Sequence, residues 1–204
     1  SFVSCSDEVI ENGSVSLQDY PFVDLILGKE KQTKMGRGAM ALEFKTFTPS
    51  MQQALTDYCQ KGGSLFISGA YVGSDLWDNP RANQTDKDFA TEVLKYKWRA
   101  GQAAIEGKVK SVTSPYSVLG IQYTYYNELN AESYVVESPD AIEPATNEAF
   151  TILRYSENNL SAGIAYKGKY KTFVTGFPFE SLRSESERES LMKSVLDFFD
   201  SPTE

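Results

Sequence analysis

Residues 65–73 of the chain read LFISGAYVG, an apolar run that passes directly into a turn bounded by Gly69 and Gly73. The run from Leu65 to Ser68 has the composition of a strand that is buried on both faces. A second run of this kind, Phe22 to Leu27, occurs earlier in the chain and also ends at a glycine. We therefore predict two buried strands of one sheet.

The segment between these two strands carries the signals of a helix. Thr48 is a suitable N-cap and Pro49 a suitable first helical residue, while Gly62 and Gly63 are typical of a helix end. A strand, a helix and a strand in this order form a right-handed βαβ crossover. The two strands are therefore predicted to lie parallel in the same sheet.

The second half of the chain has a different pattern. Apolar residues recur near helical spacing from Asp86 to Trp98, which predicts a second helix. Ser184 and Glu187 have the spacing of a capping box, which predicts the start of a closing helix. Between them, β-branched and aromatic segments separated by turn signals predict strands and hairpins. These segments are Val109–Val112, Ile121–Tyr126, Tyr134–Val136, Thr151–Tyr155, Ser161–Tyr166 and Thr172–Thr175.

The composition limits the classes of function. With 204 residues, 41% of them hydrophobic, residues 1–204 are expected to form one domain, excised from a longer chain because no initiator Met or signal peptide is present. The net charge of −8 makes nucleic acid an unexpected partner, and no run reaches the roughly 18 apolar residues of a membrane span. Histidine is absent and the two cysteines have no metal-site spacing, so we expect no metal and no cofactor.

The turn at residues 69–73 has the form Gly-x-nucleophile-x-Gly of a nucleophile elbow. Following a strand, a helix and a Gly-Gly pair, it resembles class I glutamine amidotransferases over roughly residues 20–76. The resemblance implies a flavodoxin-like, class I glutamine amidotransferase-like three-layer sandwich: an α/β fold with a mainly parallel sheet, here with extra antiparallel hairpins in the C-terminal half. The family uses cysteine at the centre of the elbow together with a histidine. Because Tyr71 occupies this position and histidine is absent, amidotransferase activity is not expected.

A second resemblance covers nearly the whole chain. It rests on the strings SCSDE (4–8), DLILGK (24–29), SGAYVGSDLW (68–77), LKYKWR (94–99) and GFPFE (176–180). These are similar to an exported bacterial family named for xanthan lyase, whose members also contain a carbohydrate-binding-like module. The resemblance implies export to the periplasm, cell surface or medium, a polysaccharide or cell-wall glycan as ligand, and other modules of the parent chain as partners. Established xanthan lyases, however, use a helical toroid and a histidine.

Candidate ligand contacts follow from the fold, because open α/β sheets bind ligands at the carboxyl ends of their strands. The loops after Leu27, Ser68 and Thr175 are therefore expected to form one rim. The candidate ligand-binding residues are Tyr71, Ser74, Asp75, Trp77, Glu180 and Arg183. Aromatic rings stack on sugars and carboxylates accept hydrogen bonds from hydroxyls. The alternatives are that Tyr71 caps the sheet edge, Trp77 is half-buried and Asp75 caps a helix.

Two further groups have structural interpretations. Tyr123, Tyr125 and Tyr126 would form a second aromatic platform or pack in the ordinary way, and the latter is favoured. Lys167, Lys169 and Lys171 flank a hairpin turn, where positive charge commonly protects a sheet edge.

The sequence leaves three functions open. The first is a non-catalytic glycan-binding or scaffold domain of a polysaccharide- or cell-wall-processing protein. The second is a polysaccharide lyase or hydrolase in which Tyr71 transfers a proton with the help of Lys29 or Arg183, without a Cys-His triad. The third is a spacer between modules of the parent chain.

Overall fold

The computed structural model describes residues 2–36, 42–113 and 121–202. Its strands are β1 (Phe22–Gly28), β2 (Thr33–Met35), β3 (Leu42–Phe44), β4 (Ser64–Gly69), β5 (Tyr96–Ala100), β6 (Lys108–Ser111), β7 (Gln122–Thr124), β8 (Ala141–Pro144), β9 (Ala149–Tyr155), β10 (Ser161–Lys167) and β11 (Lys171–Thr175). Its helices are α1 (Asp7–Glu11), α2 (Pro49–Gln60), α3 (Ser74–Trp77), α4 (Gln84–Asp88), a π-helix (Phe89–Leu94) and α5 (Glu185–Asp200), with 3₁₀ turns at Leu17–Asp19 and Phe179–Ser181.

The main sheet has seven strands in the order β1-β4-β11-β10-β9-β6-β7. Only the pairs β1-β4 and β4-β11 are parallel, and the other four pairs are antiparallel. The predicted flavodoxin-like, amidotransferase-like sandwich with a mainly parallel sheet is therefore wrong. Tight hairpins, which can join only antiparallel strands, connect β9 to β10 and β10 to β11, so most of the sheet is antiparallel. Two small antiparallel pairs, β2-β3 and β5-β8, lie outside this sheet.

The predicted βαβ crossover is confirmed. The Thr48 side chain accepts a hydrogen bond from the Met51 N–H at the start of α2, and Gly62 ends the helix with a φ of +94°. β1, however, lies at the end of the strand order and is not buried on both faces. Phe22 and Ile26 on one of its faces are 47% and 54% exposed.

Strand β4, the second strand of the sheet order, separates two hydrophobic cores. Leu65 and Ile67 point into the first core, which is shared with α2 and the π-helix. Phe66 points into the second core and packs edge-on against Phe173, beside α5. Because both faces of β4 are covered, its sequence is continuously apolar rather than alternating.

The predicted helix from Asp86 to Trp98 is helical as far as Leu94 and wrong over its last four residues. The π-helix ends at Leu94, and Lys95 has a left-handed φ of 68° that turns the chain into β5. Side chains of β11 and the preceding turn stabilise this helix end: the Tyr170 hydroxyl donates to the Val93 carbonyl, and the Thr172 hydroxyl donates to the Leu94 carbonyl. Trp98 consequently lies on a strand.

Three other predictions can be compared with the fold. The capping box of Ser184 and Glu187 at the start of α5 is confirmed. The predicted strand at Tyr134–Val136 is wrong, since this segment has no regular secondary structure. Among the described residues, no helix is long and apolar enough to cross a bilayer.

Candidate functional site

A cleft of about 710 Å³ opens at the carboxyl end of β4, where the strand passes through the Gly-x-Tyr-x-Gly turn into α3. One wall consists of the turn and α3, and the other consists of the end of β5 and the residues that follow it. The lining residues are Lys31, Gln32, Tyr71, Ser74, Asp75, Asp78, Asn79, Pro80, Trp98, Arg99, Ala100, Gly101, Gln102 and Ser138.

The two glycines of the turn are explained by close packing. A Cβ atom at Gly69 would lie 2.9 Å from the Leu27 Cβ, and one at Gly73 would lie 2.7 Å from the Trp98 Cδ1. The Tyr96 hydroxyl also donates a hydrogen bond of 2.5 Å to the Val72 carbonyl. The turn is therefore held tightly between β1 on one side and β5 on the other.

Two partly buried aromatic side chains line the cleft. Tyr71, at the centre of the turn, has the Lys31 ammonium 4.7 Å from its ring centroid. Trp98 contributes its indole from β5, against the Gly73 backbone. Trp98 was not predicted as a contact residue, because its near-helical spacing placed it in the predicted helix from Asp86 to Trp98. The alternation of Tyr96 and Trp98 with charged residues is the period-two signal that identifies β5.

Asp140 forms hydrogen bonds with both walls of the cleft. Its Oδ2 accepts hydrogen bonds from the Gly73 and Ser74 N–H groups at 2.7 and 2.6 Å, and its Oδ1 accepts one from the Trp98 indole at 3.3 Å. The side chain has no exposure to solvent. Burial raises the pKa of Asp140 to about 7, although its three hydrogen bonds favour the charged carboxylate. No sequence motif marks this residue.

Asp75 lies in the floor of the cleft and is only 4% exposed. Its Oδ1 accepts a hydrogen bond of 2.6 Å from the Gln32 N–H, which holds the loop after β1 against α3. Its Oδ2 and the Ser74 Oγ are shielded from solvent, and the Thr46 hydroxyl lies beside the first and the Asp140 carboxylate beside the second. Burial raises the pKa of Asp75, against the opposing effect of the hydrogen bond from Gln32. Polar contact with a ligand is therefore left to the accessible groups of the lining, such as the exposed Asp78 carboxylate.

The structure brings together three of the six predicted contact residues, namely Tyr71, Ser74 and Asp75. Trp77 is half-buried and packs against the first core. Glu180 lies above Gly28, where its Oε1 accepts a hydrogen bond of 2.5 Å from the Tyr134 hydroxyl.

Arg183 lies outside the cleft. Its guanidinium is 5.6 Å from the Tyr126 ring centroid and donates to the Asn127 side chain at 2.7 Å.

The remaining aromatic and basic groups have structural positions. Tyr123 and Tyr125 are buried in the second core, so the ordinary-packing interpretation is confirmed for these two. Lys171 is also buried, and its ammonium donates to the Phe199 and Ser201 carbonyls at the end of α5. The prediction that Lys171 serves as a solvated edge charge is therefore wrong.

The geometry of the turn limits its chemistry. The N–H groups of Gly73 and Ser74, at the start of α3, both donate to Asp140. They are therefore not available to stabilise negative charge on a ligand. Lys29, one of the predicted helpers of Tyr71, pairs with Glu137 at 2.5 Å. In the part of the chain that the structure describes, no group of three or more Cys, Asp or Glu side chains is placed to hold a metal ion.

No protein-family model matches the sequence, and no curated protein is similar to it in sequence. Solved structures with a similar fold include a cold-adapted β-galactosidase from Rahnella sp. R3, with a TM-score of 0.55 and 12% identity over 92% of this chain. Another is a β-galactosidase from Bacillus circulans sp. alkalophilus, with a TM-score of 0.51 and 10% identity over 89% of this chain. The matched regions make up 24% and 23% of those chains. The fold is thus similar to that of one part of these β-galactosidases, and the predicted amidotransferase-like fold is wrong.

Proposed function

We propose that this domain binds a glycan in the cleft between α3 and β5 without converting it, as a binding or scaffold part of an exported polysaccharide- or cell-wall-processing protein. The observation that supports this most directly is the combination of two partly buried aromatic rings, Tyr71 and Trp98, with an exposed carboxylate, Asp78, in the lining of one cleft. Export and the parent protein are implied by the resemblance of the sequence to the xanthan lyase family.

This combination suits a sugar for physical reasons. A pyranose ring has an apolar face of C–H groups, which packs on an indole, and a rim of hydroxyls, which donate hydrogen bonds. The exposed Asp78 carboxylate in the lining can accept such a hydrogen bond. The cleft is also open to solvent, so a segment within a longer polysaccharide can enter it.

The same cleft lacks the groups of an efficient catalyst. The sequence has no histidine, and the N–H groups of Gly73 and Ser74 are bound to Asp140. The Asp140 carboxylate further disfavours negative charge near the turn. These features favour binding over turnover.

A lyase or hydrolase that uses Tyr71 is the second candidate. It is supported by the Lys31 ammonium above the Tyr71 ring, since elimination at a uronate needs a base and a group that neutralises the carboxylate. Lys31 would replace Lys29 and Arg183, which contact other groups.

Calorimetric titration with xanthan oligosaccharides and peptidoglycan fragments tests the proposal. Trp98→Ala is expected to weaken binding at least about tenfold, because buried aromatic contacts supply much of the energy of a binding site. Tyr126→Ala, a half-exposed aromatic outside the cleft, is the matched control and should leave affinity unchanged.

Asp78→Asn, at an exposed carboxylate of the lining, is expected to weaken binding, whereas Asp197→Asn, at an exposed carboxylate outside the cleft, is not. Equal affinity in all four variants would overturn the assignment of the cleft. The absence of binding to every glycan would instead favour the spacer function.

Mass spectrometry of the same mixtures tests turnover. Intact glycan masses are expected after incubation with the domain. A product that is released by the natural chain and lost in Tyr71→Phe would establish the second candidate.

A further inference from the structure

Asp140 is the one fully buried carboxylate that contacts both walls of the cleft within the described ranges 2–36, 42–113 and 121–202. Its Oδ2 holds the start of α3, which carries Ser74 and Asp75. Its Oδ1 holds the indole of Trp98. The backbone of the same residue is fixed as well, because its N–H donates to the Gly176 carbonyl and its carbonyl accepts from the Tyr155 hydroxyl.

We propose that Asp140 is a positioning residue that holds the Trp98 indole and the start of α3 at a fixed spacing across the cleft, and that its protonation weakens ligand binding. The part of this inference that concerns the ligand rests on the proposed glycan-binding function. The part that concerns the hydrogen bond to Trp98 does not.

The chemistry follows from the three donors around the carboxylate. A charged carboxylate has only acceptor atoms, so it satisfies all three N–H groups at once. Protonation places a hydrogen on one oxygen, and that oxygen then opposes an N–H donor. The indole contact at 3.3 Å is the longest of the three hydrogen bonds and is expected to break first.

The ionisable groups that face Asp140 do not compensate for its charge. Tyr96, on β5, and Tyr155, on β9, interact with it electrostatically, and burial raises the pKa of both phenols well above the usual range. Both are therefore neutral in the range where Asp140 titrates. Asp140 itself has a pKa near 7 because it is buried.

The first experiment needs no ligand. The chain has two tryptophans, so a ¹H–¹⁵N spectrum contains two indole signals, and Trp98→Phe identifies which of them belongs to Trp98. The Trp98 indole signal is expected to move with pH with a midpoint close to 7, and the Trp77 signal is not. In Asp140→Asn the Trp98 signal should no longer titrate. A pH-independent Trp98 signal in the natural chain would overturn the proposal, even if Asp140→Asn failed to fold.

The second experiment measures the affinity for xanthan oligosaccharides at pH 8 and pH 6. In the natural chain we expect affinity to fall about tenfold at pH 6, which corresponds to the loss of one charge-assisted hydrogen bond. Asp140→Asn should bind more weakly at pH 8 and show little change with pH. An unchanged affinity with a titrating indole would overturn the link to binding.

The two proposals fail in different ways. If no oligosaccharide binds at either pH while the indole still titrates, the glycan-binding function is wrong and the positioning role of Asp140 stands. If glycans bind but the indole does not titrate, the positioning role of Asp140 is wrong and the glycan-binding function stands.

Discussion

Gly73→Ala tests whether Trp98 packs on the turn as the structure shows. The backbone of Gly73, with φ −97° and ψ −48°, is accessible to alanine, so the substitution carries no conformational strain. The added Cβ would, however, lie 2.7 Å from the Trp98 Cδ1 and 3.2 Å from the Ile142 Cγ2. The indole must therefore move.

The magnitude follows from two opposing effects. Overpacking of this kind costs about 1–3 kcal/mol, whereas replacing glycine with alanine stabilises the chain by about 0.4–1 kcal/mol through the unfolded state. The free energy of unfolding should therefore fall by about 1–2 kcal/mol. This corresponds to a melting temperature that is lower by about 3–6 °C.

Two other glycines that contact Asp140 provide a graded control. A Cβ at Gly101 would lie 3.6 Å from the Asp140 Oδ1 and 3.9 Å from the Trp98 ring, so Gly101→Ala should be neutral or slightly stabilising. A Cβ at Gly176 would overlap the Asp140 backbone carbonyl, so Gly176→Ala should prevent stable folding.

Urea unfolding and tryptophan emission are the assays for the series. A Gly73→Ala protein as stable as the natural chain, with unchanged emission, would refute the described packing.

Three further predictions concern stability and reactivity. Lys171→Met removes the buried ammonium that donates to two carbonyl oxygens at the end of α5, so urea unfolding should show a loss of about 1–3 kcal/mol, whereas the exposed Lys169→Met should be neutral. The raised pKa of Asp140, about 7, means that the folded state binds more protons than the unfolded state between about pH 4 and pH 7. Stability should therefore decline as pH rises through this range, and less steeply in Asp140→Asn. Burial raises the pKa of the Cys59 thiol to about 12, so a thiol reagent at pH 8 should modify only the exposed Cys5 until the chain is unfolded.

Local signals in the sequence identified the elements whose structure is determined locally. Thr48 and Ser184 were recognised as helix N-caps because a cap uses only residues within one turn of itself. The parallel pairing of β1 and β4 followed from the short βαβ connection between them.

The strand order depended on contacts that sequence spacing does not reveal. β11 inserts between β4 and β10, and β9 pairs with β6, across loops of variable length. Local periodicity predicts where strands lie but not which strands are neighbours, and the mainly parallel sheet was implied by the amidotransferase resemblance, which covers only roughly residues 20–76.

The candidate site was predicted in part for the same reason. Tyr71, Ser74 and Asp75 follow β4 directly, so a motif located them at the end of a strand. Trp98 was assigned to a helix because Lys95, whose left-handed backbone ends the helix, is not a residue that sequence patterns mark as a breaker. Asp140 approaches the turn from 66 residues away and has no motif of its own.

The central claim is that the cleft binds a glycan and does not convert it. The most direct measurement is a ¹H–¹⁵N titration of the domain with xanthan oligosaccharides, in which the same samples are followed for new sugar signals. We expect saturable shifts of the Trp98 indole and the Ser74 amide, with no new sugar signals after prolonged incubation. Shifts confined to residues outside the cleft, or the appearance of product, would contradict it.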